Sequence, residues 1–398
     1  MKLPAPLLAL PFCAAMLALC APAQGQTVRG SVGGETRIYP ETPLFPDQDS
    51  NDVQASAYFI VNASADVGEA RFDMELFGRF APDAARELSG DVRQAFVRLQ
   101  RGKAEWKLGV LSETWGVLEA WNPVDIINQR DLAEDFQGDV KLGQPGMMLT
   151  LQLDGATLSV FGTGVARERR FARHEDRFRV LPAAIVDEDL EDGRWAPTGA
   201  IRAEIPVGAL NLVVSQFLGT AREPALRPVI GPNGLEGFRA FYGRISQTSI
   251  DAEYVVGDSV LKAELIHQRG DAGPFWGGGI GIETSFSKFA GGLGDLTLYA
   301  EAYADSRNDD VPLTPFQRDV FIGARYSFND TGDTLLDLRH TYDLEWRSSL
   351  VELRASRRLF SDFVLSFAFL QTLNEARDPA LSTLARDAQF KLRLARFF

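Results

Sequence analysis

The sequence predicts an all-β chain. It reads as a single transmembrane antiparallel up-and-down β-barrel of about eighteen strands, or sixteen if one hairpin is overcounted. Three observations predict it. Long segments alternate polar and apolar residues with a period of two, the connections between them alternate short and long, and the chain opens with a secretory leader.

The leader occupies residues 1–23. Met1-Lys2 is a minimal basic start, Leu7 to Leu19 is an apolar core, and Ala21-Pro22-Ala23 offers cleavage before Gln24, with Ala23-Gln24-Gly25 as a second option. Such a core is too short to span a membrane as a helix. A lipoprotein reading would use Cys20, but the bulky Leu19 beside it argues against that. Both cysteines, Cys13 and Cys20, fall in the leader, so the mature chain, 24–398, has none, which excludes disulfides, thiol catalysis and cysteine-bound metal.

Composition agrees with a barrel. Hydrophobic residues make up 45% of the chain, too few for a bundle of membrane helices but enough for strands that show lipid only every second residue. The best helical candidate, 205–221, contains Pro206, Gly208, Asn211 and Gln216 and reads as a turn and a strand. The formal net charge of −13 argues against nucleic acid as a partner.

Alternation is clearest at 69–80, where Ala70, Phe72, Met74, Leu76 and Phe80 share one face and Glu69, Arg71, Asp73, Glu75 and Arg79 the other. The segment 295–305 repeats it. Strands are expected near 28–38, 52–63, 68–80, 91–101, 104–114, 145–153, 156–166, 198–205, 209–219, 240–256, 260–269, 276–288, 294–305, 318–328, 334–343, 348–358, 362–372 and 386–398. Many approach the ~9–11 residues that cross a bilayer at a tilt. Soluble sandwiches alternate too, so the connections decide. Gly102-Lys103, Asp154-Gly155 and Gly257-Asp258-Ser259 are tight turns, whereas 39–51, 81–90, 115–144, 167–197, 220–239, 306–317 and 373–385 are long. Short turns on one side and long loops on the other require an even strand count when both termini share the short-turn side.

The last strand ends in Phe397-Phe398. Phe390, Leu392, Leu394 and Phe398 match the alternate apolar positions of the signal that outer-membrane proteins present to the barrel assembly machinery, and Arg396 departs from it. The most distinctive internal segment is Trp115-Gly116, then Trp121-Asn122-Pro123-Val124-Asp125, Asn128 and Arg130-Asp131. It resembles a WG…NPxD…RD pattern of little-characterised Gram-negative outer-membrane barrels. The whole chain is more remotely similar to alginate-export-type and other substrate-specific porins. Val117 stands where the pattern carries a polar residue, which puts a ligand role there in doubt. The resemblance implies an outer-membrane channel with outer-membrane lipid and lipopolysaccharide as surroundings. Its cargo is unspecified.

Asn-Pro turn chemistry, two tryptophans and several charges give the 115–131 segment reason to fold inward and constrict a pore, with Asp125, Arg130 and Asp131 setting selectivity. The competing reading is that Asp125 and Arg130 pair and pin the loop. Arg71, Asp73, Glu75, Arg79, Arg98 and Lys107 are expected in the lumen, where mixed signs suit a bracing network better than a one-sign ion path. Arg167, Arg169, Arg170, Arg173, Arg177 and Arg179 cluster in one long loop, either for anions or in local balance with Glu168, Glu175 and Asp176. The acids Asp187, Glu188, Asp189, Glu191, Asp192, Asp309 and Asp310 read as solvated, without calcium-loop spacing.

Histidines are three: His174, His267 and His340. No nucleophile elbow, metal-binding pair or phosphate loop accompanies them, so neither metal nor other cofactor is expected. The function expected is passive or facilitated diffusion of a small hydrophilic solute. The alternatives are a structural or adhesive barrel closed by its loops and, using His340 with Ser348 or Ser349, a lipid hydrolase.

Overall fold

A computed structural model describes residues 24–398 except 83, 85, 86, 233, 271, 272, 308–313 and 315. The leader, Asp309 and Asp310 lie outside the described residues. Eighteen strands form the wall: β1 (Gln24–Ile38), β2 (Val53–Val67), β3 (Ala70–Phe80), β4 (Leu88–Arg101), β5 (Ala104–Leu111), β6 (Gln144–Leu153), β7 (Ala156–Thr163), β9 (Thr198–Val207), β10 (Leu210–Thr220), β13 (Arg244–Val256), β14 (Ser259–Arg269), β15 (Phe275–Phe286), β16 (Asp295–Asp305), β17 (Arg318–Ser327), β18 (Leu335–Asp343), β19 (Ser349–Leu359), β20 (Phe363–Leu373) and β21 (Gln389–Phe397). Each wall strand pairs antiparallel with the next in this order, and β1 pairs with β21 from Ser31↔Phe397 to Ile38↔Phe390, closing the ring. The sixteen-strand alternative is excluded.

The turns follow from local chemistry. Gly102-Lys103 and Gly257-Asp258 join their strands in two residues, and both glycines take φ of 58°, the left-handed conformation that tight hairpins need and side chains resist. Long connections occupy the opposite end. Two of them, expected as plain loops, contribute a small separate sheet in which β12 (Gly234–Tyr242) lies between β11 (Ala225–Gly231) and β8 (Ile185–Leu190). The expected strand 240–256 is therefore two strands broken at Gly243. Periodicity cannot detect a parallel pairing such as β8–β12 between segments some fifty residues apart.

Burial is inverted relative to a soluble protein. Ser249, Asp251 and Glu264 are buried, while their chain neighbours Ile250 and Leu265 are 43% and 45% exposed. Ile250 and Leu265 face one another across the β13–β14 pair, and Ile280 and Ile322 extend the exposed apolar band. Charges inside and a continuous apolar belt outside suit lipid around the wall and water within it. Among the described residues no helix is long and apolar enough to cross a membrane; the strands are the crossing elements.

The same alternation explains β21. Phe390, Leu392 and Leu394 join the exposed belt, and Arg396, next in that row, ion-pairs with Asp362 of a short turn at 2.9 Å. The backbone of Phe398 exchanges two 3.0 Å hydrogen bonds with Gly30 of β1.

A cation in the belt should be costly. Leu265→Arg is expected to lower the free energy of unfolding from vesicles by about 2–4 kcal/mol, read by urea titration of the reversibly inserted protein. An unchanged value would mean that Leu265 does not meet lipid.

Candidate functional site: a loop across the lumen

Residues 112–143, between β5 and β6, turn into the barrel. Asn128 ties the ends of this loop together. Its Nδ2 donates to the carbonyls of Leu111 (2.8 Å) and Leu142 (2.9 Å), and its Oδ1 accepts the Glu113 N–H at 2.9 Å. Asp125 accepts the Trp115 N–H at 3.3 Å and ion-pairs with Lys141 at 2.5 Å and Arg130 at 3.6 Å. Asp131 pairs with Arg170 at 2.7 Å. Burial pushes the Asp131 carboxyl above its ordinary range, with Arg170 opposing. Trp115 sits in an apolar cluster with Leu111, Phe161 and Phe217. Beside it Arg222, itself buried, donates through Nε to the carbonyls of Ile126 and Ile127.

The predicted residues thus divide. Trp115, Asn128 and Asp131 are buried in the base of the loop and, with the nearly covered side chain of Asp125, hold its shape. Trp121 and Arg130 line open space, and Trp121 stacks on Phe316 with ring centroids 5.3 Å apart. Asn122 packs against Gly116, whose φ is 107° and where an added Cβ would lie 2.7 Å from both the Asn122 Cβ and the Glu264 carboxylate, so the Trp-Gly pair needs its glycine. Val117 makes its contact with Glu264 through the backbone N–H, so an apolar side chain at this position loses nothing there.

The lumen charges form chains of opposite sign. Asp73 binds Arg71 at 3.0 Å and Arg98 at 2.8 Å, Glu75 binds Arg93 at 3.5 Å, and Lys107 binds Glu113 at 3.0 Å. Arg79 links the wall to the loop, contacting Glu134 at 2.6 Å and Glu35 at 3.1 Å. Glu35 also binds Arg37 (2.9 Å) and Arg393 (2.5 Å), so one carboxylate serves three guanidinium groups. Sequence reading passed over Glu35, although it is the lone acid of β1.

Among the spaces lined by the loop, two separate it from the wall strands on either side. One, of about 440 Å³, lies towards β1–β4 and β19–β21. Its wall carries Arg37, Arg79, Arg93, Arg354, Lys391 and Arg393 with one acid, Glu352, paired to Arg354, and across it the loop presents Glu134, Asp135 and Asp139. The other, of about 190 Å³, lies towards β17–β19 and is largely apolar, with Trp121, Phe136, Phe316, Phe321 and Leu350.

The arginine-rich loop is spent on ion pairs. Arg167 meets Asp91 at 2.5 Å, Arg179 meets Asp47 at 3.1 Å, and Arg177 meets Asp387 at 2.8 Å with both side chains fully buried. The last two bonds draw the long loops 39–52, 164–184 and 374–388 together, and the first ties the middle one to β4. His340 Nε2 lies 3.1 Å from Ser349 Oγ, but Ser349 is buried, and among the described residues no carboxylate binds the ring.

Removing the Asn128 amide should loosen the base of the loop. Asn128→Ala strands the partners of three hydrogen bonds and is expected to cost about 2–3 kcal/mol, read by thermal unfolding together with faster proteolysis within 112–143. Unaltered proteolysis would show that Asn128 does not hold the loop.

No family model matches the chain, and no curated protein matches its sequence. Its fold is similar to solved outer-membrane porins. A BenF-like porin from Pseudomonas fluorescens aligns over 95% of this chain and 99% of that one, with TM-score 0.53 and 11% identity. OccK2 of Pseudomonas aeruginosa, solved with glucuronate, aligns over 94% and 96%, with TM-score 0.53 and 12% identity. OccAB2 of Acinetobacter baumannii aligns over 94% and 98%, with TM-score 0.54 and 9% identity. The likeness is one of fold: a closed eighteen-stranded barrel of the outer-membrane porin type.

Proposed function

We propose that this protein is a channel of the Gram-negative outer membrane that passes small hydrophilic solutes through the space beside its inward loop. The observation that carries this reading is the 440 Å³ space itself, with six basic side chains and one acidic one, Glu352, on its wall and three acidic ones on the loop edge. Opposed rows of charge in a narrow, partly desolvated passage orient polar solutes and exclude apolar ones. Because Glu35 is shared by Arg37, Arg79 and Arg393, the wall keeps positive charge in excess. Guanidinium groups present paired donors that match a carboxylate. The favoured solutes are therefore small, hydroxyl-bearing carboxylates. The glucuronate bound by OccK2 and the resemblance to alginate-export-type barrels support the same chemistry. In this reading Glu134, Asp135, Phe136, Gln137 and Asp139 line the passage and Trp121 and Arg130 line the space on the other side of the loop, while Asp125, Asn128 and Asp131 fix the loop.

Liposome swelling tests it. Uronate salts should enter faster than neutral sugars of the same size. The double change Arg93→Gln and Lys391→Gln should reduce uronate entry roughly two- to five-fold, as expected from weakening partly exposed charge contacts, and leave neutral sugars unaffected. Equal loss for both solutes would contradict charge recognition, and no entry of any solute into liposomes holding the folded wild type would contradict a channel.

A further inference from the structure

The inward loop reaches the far side of the barrel, and it is held there by its backbone. Counting round the wall from β5 through β6, β7, β9, β10 and β13, strand β14 is the sixth and β16 the eighth, where the ninth would be diametrically opposite. On β14, Glu264 accepts the N–H groups of Val117 (2.5 Å), Leu118 (3.0 Å) and Val124 (3.3 Å). On β16, Glu301 accepts those of Glu119 (2.7 Å) and Ala120 (3.0 Å). Trp121 N–H donates to the Tyr303 hydroxyl at 3.1 Å, and that hydroxyl donates to Glu301.

Five backbone donors thus converge on two carboxylates. Among the described residues neither carboxylate forms an ion pair, unlike Glu35 and Asp337, which bind arginines elsewhere on the wall. A buried carboxylate without a cation is costly unless hydrogen-bond donors surround it. Here the loop supplies those donors, and the loop's otherwise orphaned N–H groups find their acceptors in the wall. Each side needs the other.

The strand between is cut to fit. Gly279 of β15 pairs with Glu264 and Tyr303, and Gly281 pairs with Glu301. A Cβ at Gly279 would lie 2.9 Å from Leu118, and one at Gly281 would lie 3.3 Å from Leu118 and 2.9 Å from the Glu301 side chain. Neither glycine has a positive φ, so space and not backbone conformation requires them. Leu118 fills the slot, 5% exposed, packed with Tyr299, Tyr303 and Phe321.

We propose that Glu264 and Glu301 are the residues that set the width of the passage, acting as a two-carboxylate latch that seats residues 117–124 in the slot made by Gly279 and Gly281. They are positioning residues, since they touch the loop and not the solute. The consequence for permeation rests on the channel reading above; the latch itself does not.

Residues 24–398 contain no cysteine, so one introduced thiol reports alone. Val124 is fully buried and hydrogen-bonded to Glu264, which makes Val124→Cys a reporter of loop release. In the folded protein, combining it with Glu264→Gln and Glu301→Gln should raise maleimide labelling at least about ten-fold, the change that losing one charge-assisted hydrogen bond carries. The same two glutamines, without the reporter, should enlarge single-channel conductance. A folded variant that labels and conducts like its parent overturns the latch. If the glutamine variant does not fold, Gly281→Val fills the slot with both carboxylates intact. Faster labelling of Val124→Cys in that background supports the latch, and an unchanged rate overturns it. A silent wild type would remove the channel reading while labelling still decides the latch.

Discussion

One constraint organises the molecule: a backbone N–H or C=O removed from water must find a partner inside the protein. In lipid, a sheet of antiparallel strands meets it only by closing on itself. Closure here runs through β1 and β21 and extends to the reciprocal bonds of Gly30 with Phe398. Once the ring is closed, alternation along each strand sends apolar side chains to lipid and polar ones inward. The same constraint then returns within the lumen, because a non-helical loop carried inside brings its own unpaired donors. They are met by Glu264, Glu301 and Tyr303 on the wall and by Asn128 and Asp125 within the loop.

The charges follow from this inversion. A lumen of eighteen strands is too wide for side chains alone to fill, so opposite charges brace it and the loop subdivides it. Pairs such as Arg177 with Asp387 are sealed from solvent, and deleting one partner from a sealed pair costs about 3–5 kcal/mol because the other charge is left uncompensated. Arg177–Asp387 and the more open Arg179–Asp47 gather the long loops over one end, whereas the Glu35 group braces the wall beside the inward loop with three guanidiniums around one carboxylate. Arginines that look alike in sequence are thus divided by the fold between joining the long loops and bracing the wall beside the inward loop.

All eighteen wall strands were legible because the period of two and the glycine turns are local signals, strongest where a strand such as 295–305 alternates without interruption. Strand ends were less so: β5 stops at Leu111, where 114 was expected, because Asn128 captures the Leu111 carbonyl for the loop. The sheet of β8, β11 and β12 was not legible, since its pairings join distant loops. In the candidate site, the Trp-Gly and Asn-Pro-Val-Asp segments lie in the loop that turns into the barrel, but the direction of each side chain was hidden. Asp125 and Asp131 look in sequence like pore charges and turn inward to Lys141 and Arg170. Glu264 and Glu301 look like ordinary members of alternating strands. The run Trp276-Gly277-Gly278-Gly279-Ile280-Gly281 was the available clue, since so many glycines weaken a strand unless something must lie against it.

The central claim is that a passage stays open beside the inward loop. Single-channel recording of the refolded mature chain in a planar bilayer tests it most directly. Steady, uniform current steps are the expected result. Silence from protein shown by spectroscopy and gel mobility to be folded and inserted would contradict the claim and mark the loop as a plug.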